Sequence, residues 1–307
     1  MTVPHDWAIY GPFSSLNDKQ EVAISQDGQK EAMEHAGRTG GVPFVGVGWY
    51  RTEFDVPQFQ AGKRATILFD GAMSHANVYI NGQKVGYWPY GYNSFHFDIT
   101  KYLKPGEKNT LAVRLENLPE SSRWYPGAGL YRNVHLIITE DAYIPVWGTY
   151  ITTPSVNEKF AKVNVRTKVV LPEGADPAKY SVETSVWNPN KQKLTAVRTS
   201  LAQMKYNNNQ AEQEFVIQAP SLWSPEMPAL YSAETRLYEG DKLKDIYTTP
   251  FGIRSIEIIP DKGFFLNGKR TVFKGVCNHH DLGPLGAAVN DAAIRRQIRI
   301  LKDMGCN

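Results

Sequence analysis

The stretch HANVYINGQKVGYW constrains the fold more than any other in the chain. Two runs of alternating apolar and polar residues flank Asn81-Gly82. Asn and Gly tolerate the positive φ that a two-residue hairpin turn of the correct twist demands, so the pair predicts a tight β-hairpin. Neighbouring segments share the same short period. RATILFDG ends in a turn, RNVHLIIT reads as a further strand, and NTLAVRLEN places Leu111, Val113 and Leu115 on one face. Gly and Pro punctuate the intervals. Short, regularly spaced strands of this kind predict a β-sandwich of jelly-roll type over residues 1–142. The polar, Gly-containing run from Gln26 to Gly41 is read as a long surface loop.

From Tyr143 the pattern recurs on a smaller scale. AKVNVRTKVV, YSVETSVWN, LTAVRTSLAQ, AEQEFVIQA and LYSAETRLYEGDKLKDIYTT carry strand-like alternation, with a hairpin at Glu239-Gly240-Asp241. Roughly seven strands in such a span fit an immunoglobulin-like sandwich over residues 143–258, here without the Cys…Trp…Cys signature of antibody domains. KYNNNQ reads as a solvated loop. After Pro260 the character changes. GFFLNGKRTVFKGVC is a hairpin turning at Asn267-Gly268 into an apolar strand, and NDAAIRRQIRILKDMG is the one convincing helical pattern. Asn290 suits its N-cap and Asp291 its first turn, Ile294, Ile298 and Leu301 share one face, and Gly305 suits its C-terminal stop. A single strand–loop–helix unit cannot bury both its faces, so residues 259–307 imply a larger α/β body. The whole is expected to be all-β in the main.

Composition narrows the function classes. The 307 residues suffice for roughly two domains with ordinary cores. A net charge of +3 is too weak to argue for nucleic acid or a membrane surface as partner. Aromatics reach 12%, with 7 Trp and 16 Tyr, which suits thick β cores and also sugar binding. Cys277 and Cys306 lack metal-type spacing and are read as reduced and partly buried. No apolar run approaches the ~20 residues of a membrane span. No signal peptide is present, and MTVPHDW reads as the lead-in to a β domain already under way. The compartment is therefore open, and a periplasmic or secreted parent is compatible with the sequence.

Seven stretches in order resemble one family. VPHDW, GVGWYRTEFDVP, the segment FDGAMSHANVYINGQKVGYWPYGYNSFHFDIT, SSRWYPGAGLYRNVHL, SLWSPEMPALY, FGIRSIEI and GFFLNGKRTVFKGVCNHHDLGPLG resemble the N-terminal part of glycoside hydrolase family 2. That family holds bacterial β-galactosidases, β-glucuronidases and β-mannosidases. The resemblance implies a sugar-binding jelly roll, an immunoglobulin-like domain and the first β/α unit of an incomplete catalytic TIM barrel. Lys274 to Cys277 would be barrel strand 1, with Asn278 to Asp281 at its C-terminal end, where TIM-barrel sites lie.

The same resemblance supplies candidate site residues. His279 matches the histidine of the galactosidase pattern G-V-N-R-H-E, which lines the sugar pocket, while Cys277-Asn278 and His280 depart from it. His280 and Asp281 join it as candidate substrate contacts, against a purely structural loop cluster or a metal set. Arg123 and Trp124 lie in the loop that reaches towards the barrel mouth, against interdomain packing by Trp124 and Tyr125. Trp88, Tyr90 and Tyr92 are read as core and hairpin support rather than a sugar-stacking strip. The implied chemistry is hydrolysis of a terminal β-linked sugar with retention, by two glutamates that lie beyond this chain. β-Galactosidase is favoured, with β-glucuronidase, β-mannosidase or a non-catalytic carbohydrate-binding module as alternatives. No catalytic residue and no metal ligand is assigned here. No cofactor is required, and Mg or Na in the parent would have no ligands identifiable in this sequence. The implied partner is a carbohydrate, a β-galactoside or related sugar, and the apolar helix stripe also allows a homo-oligomer. The chain alone should leave a chromogenic β-galactoside intact. Turnover above a mock preparation would overturn that expectation.

Overall fold

A computed structural model describes residues 2–14, 16–17, 42–58, 62–119, 121–122, 124–203 and 210–307. The predicted loops at 26–41 and 205–209 lie outside the described residues. The chain forms two compact units, one of residues 1–138 with 275–306 and the other of 139–274 with Asn307.

The first unit contains β1 (Gly46–Asp55), β2 (Arg64–Phe69), β3 (Ala76–Ile80), β4 (Gln83–Trp88), β5 (Phe95–Asp98), β6 (Lys108–Asn117) and β7 (Val134–Thr139). They form two sheets, ordered β1-β6-β3-β4 and β5-β2-β7. Alternate residues of both sheets meet in one core that includes Ile67, Phe69, Ile80, Phe95, Val113 and Leu115. Each such side chain contributes about 1.5–3 kcal/mol by leaving water. The jelly-roll expectation holds. So does the hairpin: Asn81 and Gly82 join β3 to β4 with φ of 51° and 80°. Asn81 does more than turn. Its amide donates to Tyr102 O at 2.9 Å and Asn109 Oδ1 at 2.8 Å, and its Oδ1 accepts from Thr110 N–H at 2.9 Å.

The second unit contains β8 (Thr149–Val156), β9 (Phe160–Lys168), β10 (Tyr180–Trp187), β11 (Lys193–Ser200), β12 (Gln210–Gln218), β13 (Tyr231–Glu239) and β14 (Lys242–Phe251). These seven strands make sheets of four, β11-β10-β13-β14, and three, β12-β9-β8. Buried Gln213 on β12 donates across the sandwich to Val182 O at 3.1 Å and Val197 O at 2.8 Å. A small sheet of β15 (Ile256–Ile259), β16 (Gly263–Leu266) and β17 (Lys269–Arg270) follows.

In the first unit, α1 (Asp291–Asp303) is the one α-helix among the described residues. Asn290 Oδ1 caps it by accepting from Ala293 N–H at 3.0 Å, and Gly305 beyond it has φ of 92°. None of its residues is buried; on the Ile294 face, Ile298 is exposed and Ile294 and Leu301 are partly covered among the described residues. Two expectations need correction. Lys274 to Cys277 carries no ladder and is not a paired strand, because no described strand lies beside it. For the same reason Cys277 is exposed rather than partly buried.

One charged cluster organises the edge of the second unit. Lys244 on β14 has a side chain only 7% exposed, with Nζ 2.8 Å from Asp141 Oδ1 and 3.6 Å from Glu239 Oε2. The Lys244 hydrogen bond holds the Asp141 carboxyl below its ordinary range, and Asp141 holds the ammonium up. A depressed carboxylate stabilises the fold above its unfolded pKa, roughly 4, and that stability is lost as pH falls through the lower folded value. Lys244→Met should therefore cost about 1–2 kcal/mol at neutral pH, and the difference from wild type should shrink on acidification below roughly pH 4. Urea melts at several pH values check both signs.

Candidate functional site

The site in the first unit is assembled on the carboxylate of Asp6, which is 1% exposed. Its Oδ1 accepts from Ala8 N–H at 3.0 Å and Ala128 N–H at 3.2 Å. Its Oδ2 accepts from the Tyr125 hydroxyl at 2.6 Å and Ala287 N–H at 2.8 Å. A carboxylate out of water needs its lone pairs filled, and here four donors from three chain segments fill them. Backbone pairing reinforces the junction, with His5 N–H on Leu130 O at 2.8 Å and Val289 N–H on Tyr131 O at 2.9 Å. Two glycines permit the approach. A Cβ at Gly286 would collide with the Asp6 carboxylate, and one at Gly127 with Ala287. Both also have positive φ, 62° and 74°.

The loop that Ala287 closes carries His279, His280 and Asp281. His280 Nε2 lies 3.0 Å from Pro126 O. A carbonyl only accepts, so the ring proton sits on Nε2 and donates. The His280 ring stands edge-on to Tyr92 at 5.4 Å and to Tyr131 at 6.1 Å between centroids. Tyr131 in turn donates its hydroxyl to Gly91 O at 2.9 Å. His280, partly buried, is thus held by one hydrogen bond and two ring contacts. His279 is exposed, and its ring lies 5.9 Å from that of Trp124. Trp124 Nε1–H donates to Tyr92 Oη at 2.9 Å, and Tyr90 packs on Tyr92 at 5.5 Å.

Burial pushes the Tyr92 phenol up, partly offset by the hydrogen bond from Trp124. Tyr125 is driven far above its ordinary value, first by burial, then by the charge of Asp6, its hydrogen bond to that carboxylate, and the charge of half-buried Asp281. These tyrosines therefore remain neutral and serve as rings and hydroxyl donors. An exposed imidazole beside a half-exposed indole offers a hydrogen-bonding group next to an apolar face. A pyranose, with hydroxyls on its rim and C–H bonds on its faces, complements both.

Four of the five predicted site residues can be placed. Trp124, His279, His280 and Asp281 come together, and Arg123 lies outside the described residues. Trp88 is core, stacked on Phe95 at 5.6 Å, as the sequence suggested. Tyr92 and Tyr90 differ, since Tyr92 meets Trp124 and His280 and Tyr90 packs on Tyr92. Nothing local marks them, because their partners are distant in the chain. Asp6 was missed as well; its only sequence signal is its place inside VPHDW. Among the described residues, no group of three or more His, Cys, Asp or Glu is placed to share a metal ion.

Comparison with known proteins bears on the family of the chain. Residues 41–140 match the model of the sugar binding domain of glycosyl hydrolases family 2, and residues 143–254 match a second model described as glycosyl hydrolases family 2. A β-galactosidase of Bacteroides ovatus, BoGH2A, is 42% identical over all of this chain and 34% of its own length. A protein of Formosa agariphila described as a putative β-glucuronidase is 36% identical over all of this chain and 27% of its own length. A crystal structure of a family 2 member from Bacteroides cellulosilyticus superposes with a TM-score of 0.85 at 34% identity, covering all of this chain and 38% of that one. The chain thus spans about a third of the length of the curated relatives it matches. Fold and matches define a chain of two β-sandwiches, the first matching the model of a family 2 sugar binding domain. It belongs to glycosyl hydrolases family 2.

The geometry separates the two histidines. His280→Ala should lower stability by about 1–3 kcal/mol, through the orphaned Pro126 carbonyl and the lost ring packing. His279→Ala, at an exposed ring, should leave the melting temperature nearly unchanged. Thermal melts of the two variants side by side check the contrast.

Proposed function

We propose that this chain forms the N-terminal portion of a retaining exo-β-glycosidase, with a terminal β-galactoside as substrate. The observation that carries the proposal is the meeting of exposed His279 with Trp124, which lies within the residues matched to the family 2 sugar binding domain. Identity of 42% to a β-galactosidase across the full chain supports the galactoside in particular. The β-glucuronidase reading is second, supported by the 36% identical Formosa relative. In either case two carboxylates about 5 Å apart, one acid/base and one nucleophile, would act by double displacement, and the proposal assigns both to sequence outside this chain. That chemistry requires only the two carboxylates and water.

In this proposal the residues described here orient the sugar. His279 hydrogen-bonds a ring hydroxyl, and that bond strengthens as the sugar flattens towards the oxocarbenium-like transition state. Trp124 covers one face of the ring or the adjoining position. His280, engaged with Pro126, holds the loop, and Asp281 supplies negative charge beside it. Loss of one such contact should cost about 2–4 kcal/mol of transition-state stabilisation.

Kinetics of the parent enzyme on chromogenic β-galactoside, β-glucuronide and β-mannoside test the reading. The galactoside should give the highest kcat/KM, and His279→Ala should lower it by about 10²-fold with the melting temperature retained. Preference for the glucuronide would transfer the reading to that sugar. Near-wild-type kinetics for His279→Ala would remove His279 from the site.

A further inference from the structure

We infer that Asp6 is a positioning residue for the sugar site, acting through the placement of His279 against Trp124, although it lies near the start of the chain. The inference rests on the reading of His279 as a sugar contact. Its physical basis is independent of that reading. One buried carboxylate holds both walls of the cluster. Through Tyr125 Oη and Ala128 N–H it grips the segment that carries Trp124, and through Ala287 N–H it grips the loop that carries His279. The separations in sequence are 119, 122 and 281 residues, so no local structure can replace these bonds.

The other ties between the loop and the 124–131 segment bear on different points. His280 Nε2–H reaches Pro126 O, and Val289 N–H reaches Tyr131 O. Neither touches Tyr125. Among the described residues, Asp6 accepts from both Tyr125 and Ala287, and its charge strengthens every bond it accepts. Gly286 and Gly127 have no Cβ where one would push these segments apart. Such close packing transmits a shift at Asp6 to both rings, because packed interiors lack free volume to absorb it. A small misplacement of an orienting group lowers rate far more than it lowers stability.

Asp6→Asn is the direct probe. The amide keeps one acceptor oxygen and turns an NH2 donor towards either the Ala8 and Ala128 N–H groups or the Tyr125 and Ala287 donors. The backbone N–H groups cannot reverse. In the parent enzyme, assayed well below every variant's melting temperature, Asp6→Asn should lower kcat/KM by about 10- to 100-fold. The decisive readout is a double-mutant cycle with His279→Ala. If Asp6 acts through His279, the double variant should be no more than about threefold worse than His279→Ala alone. Gly286→Ala, which pushes the same contact from the other side, should behave likewise. Multiplicative losses in the cycle, or wild-type kinetics for Asp6→Asn, would overturn the inference and leave the sugar-contact reading standing. A silent His279→Ala would overturn that reading and this inference with it. Should Asp6→Asn fail to fold, Tyr125→Phe removes one of the four bonds without adding a donor. It should lower kcat/KM by about fivefold and be non-multiplicative with His279→Ala, and the opposite result in either respect overturns the proposal.

Discussion

The Asp6 carboxylate is the interaction on which the first unit's functional end depends. A buried charge is costly unless every lone pair has a donor, and a carboxylate that draws its donors from three distant segments leaves those segments little freedom. Ala8, Tyr125 with Ala128, and Ala287 each have one place to be. The glycines at 127 and 286 are consequences of that demand. Only a residue without Cβ, comfortable at positive φ, lets backbone approach the carboxylate so closely.

Around this anchor the polar groups divide between support and exposure. His280, Tyr131 and Tyr92 spend their hydrogen-bonding capacity or ring edges on one another and on nearby carbonyls. His279 and the outer face of Trp124 remain available. A rigid support beneath a small exposed set is what orientation of a ligand requires, since a contact that wanders by an ångström loses most of its catalytic value. The sandwich supplies the rigidity. Phe69, Val113 and Leu115 are fully buried between its sheets, and the Asn81 side chain fastens one hairpin to β6 and the Tyr102 turn.

The second unit solves a similar problem with different chemistry. Gln213 bridges its two sheets through donors to Val182 O and Val197 O, and Lys244 gathers two carboxylates at the β13–β14 edge. Neither was singled out from the sequence, because a glutamine or lysine on an alternating strand reads as an outward residue until its strand's partners are known. The family motifs, by contrast, were legible at once, and the matches over 41–140 and 143–254 agree with them.

Local physics determined from sequence what depends on near neighbours. Period-two alternation put Leu111, Val113 and Leu115 on one face, Asn-Gly pairs placed turns at 81–82 and 267–268, and Asn290 with Gly305 bounded the helix. Each needs only a few consecutive residues to express its preference. The tertiary structure alone decided which side chains share the site. Tyr92 meets Trp124 across 32 residues, His280 meets Pro126 across 154, and Asp6 meets Ala287 across 281. It also decided that Lys274 to Cys277, apolar enough for a strand, has no ladder among the described residues. A strand is defined by its neighbours, and a site by groups that meet only once the chain has closed upon itself.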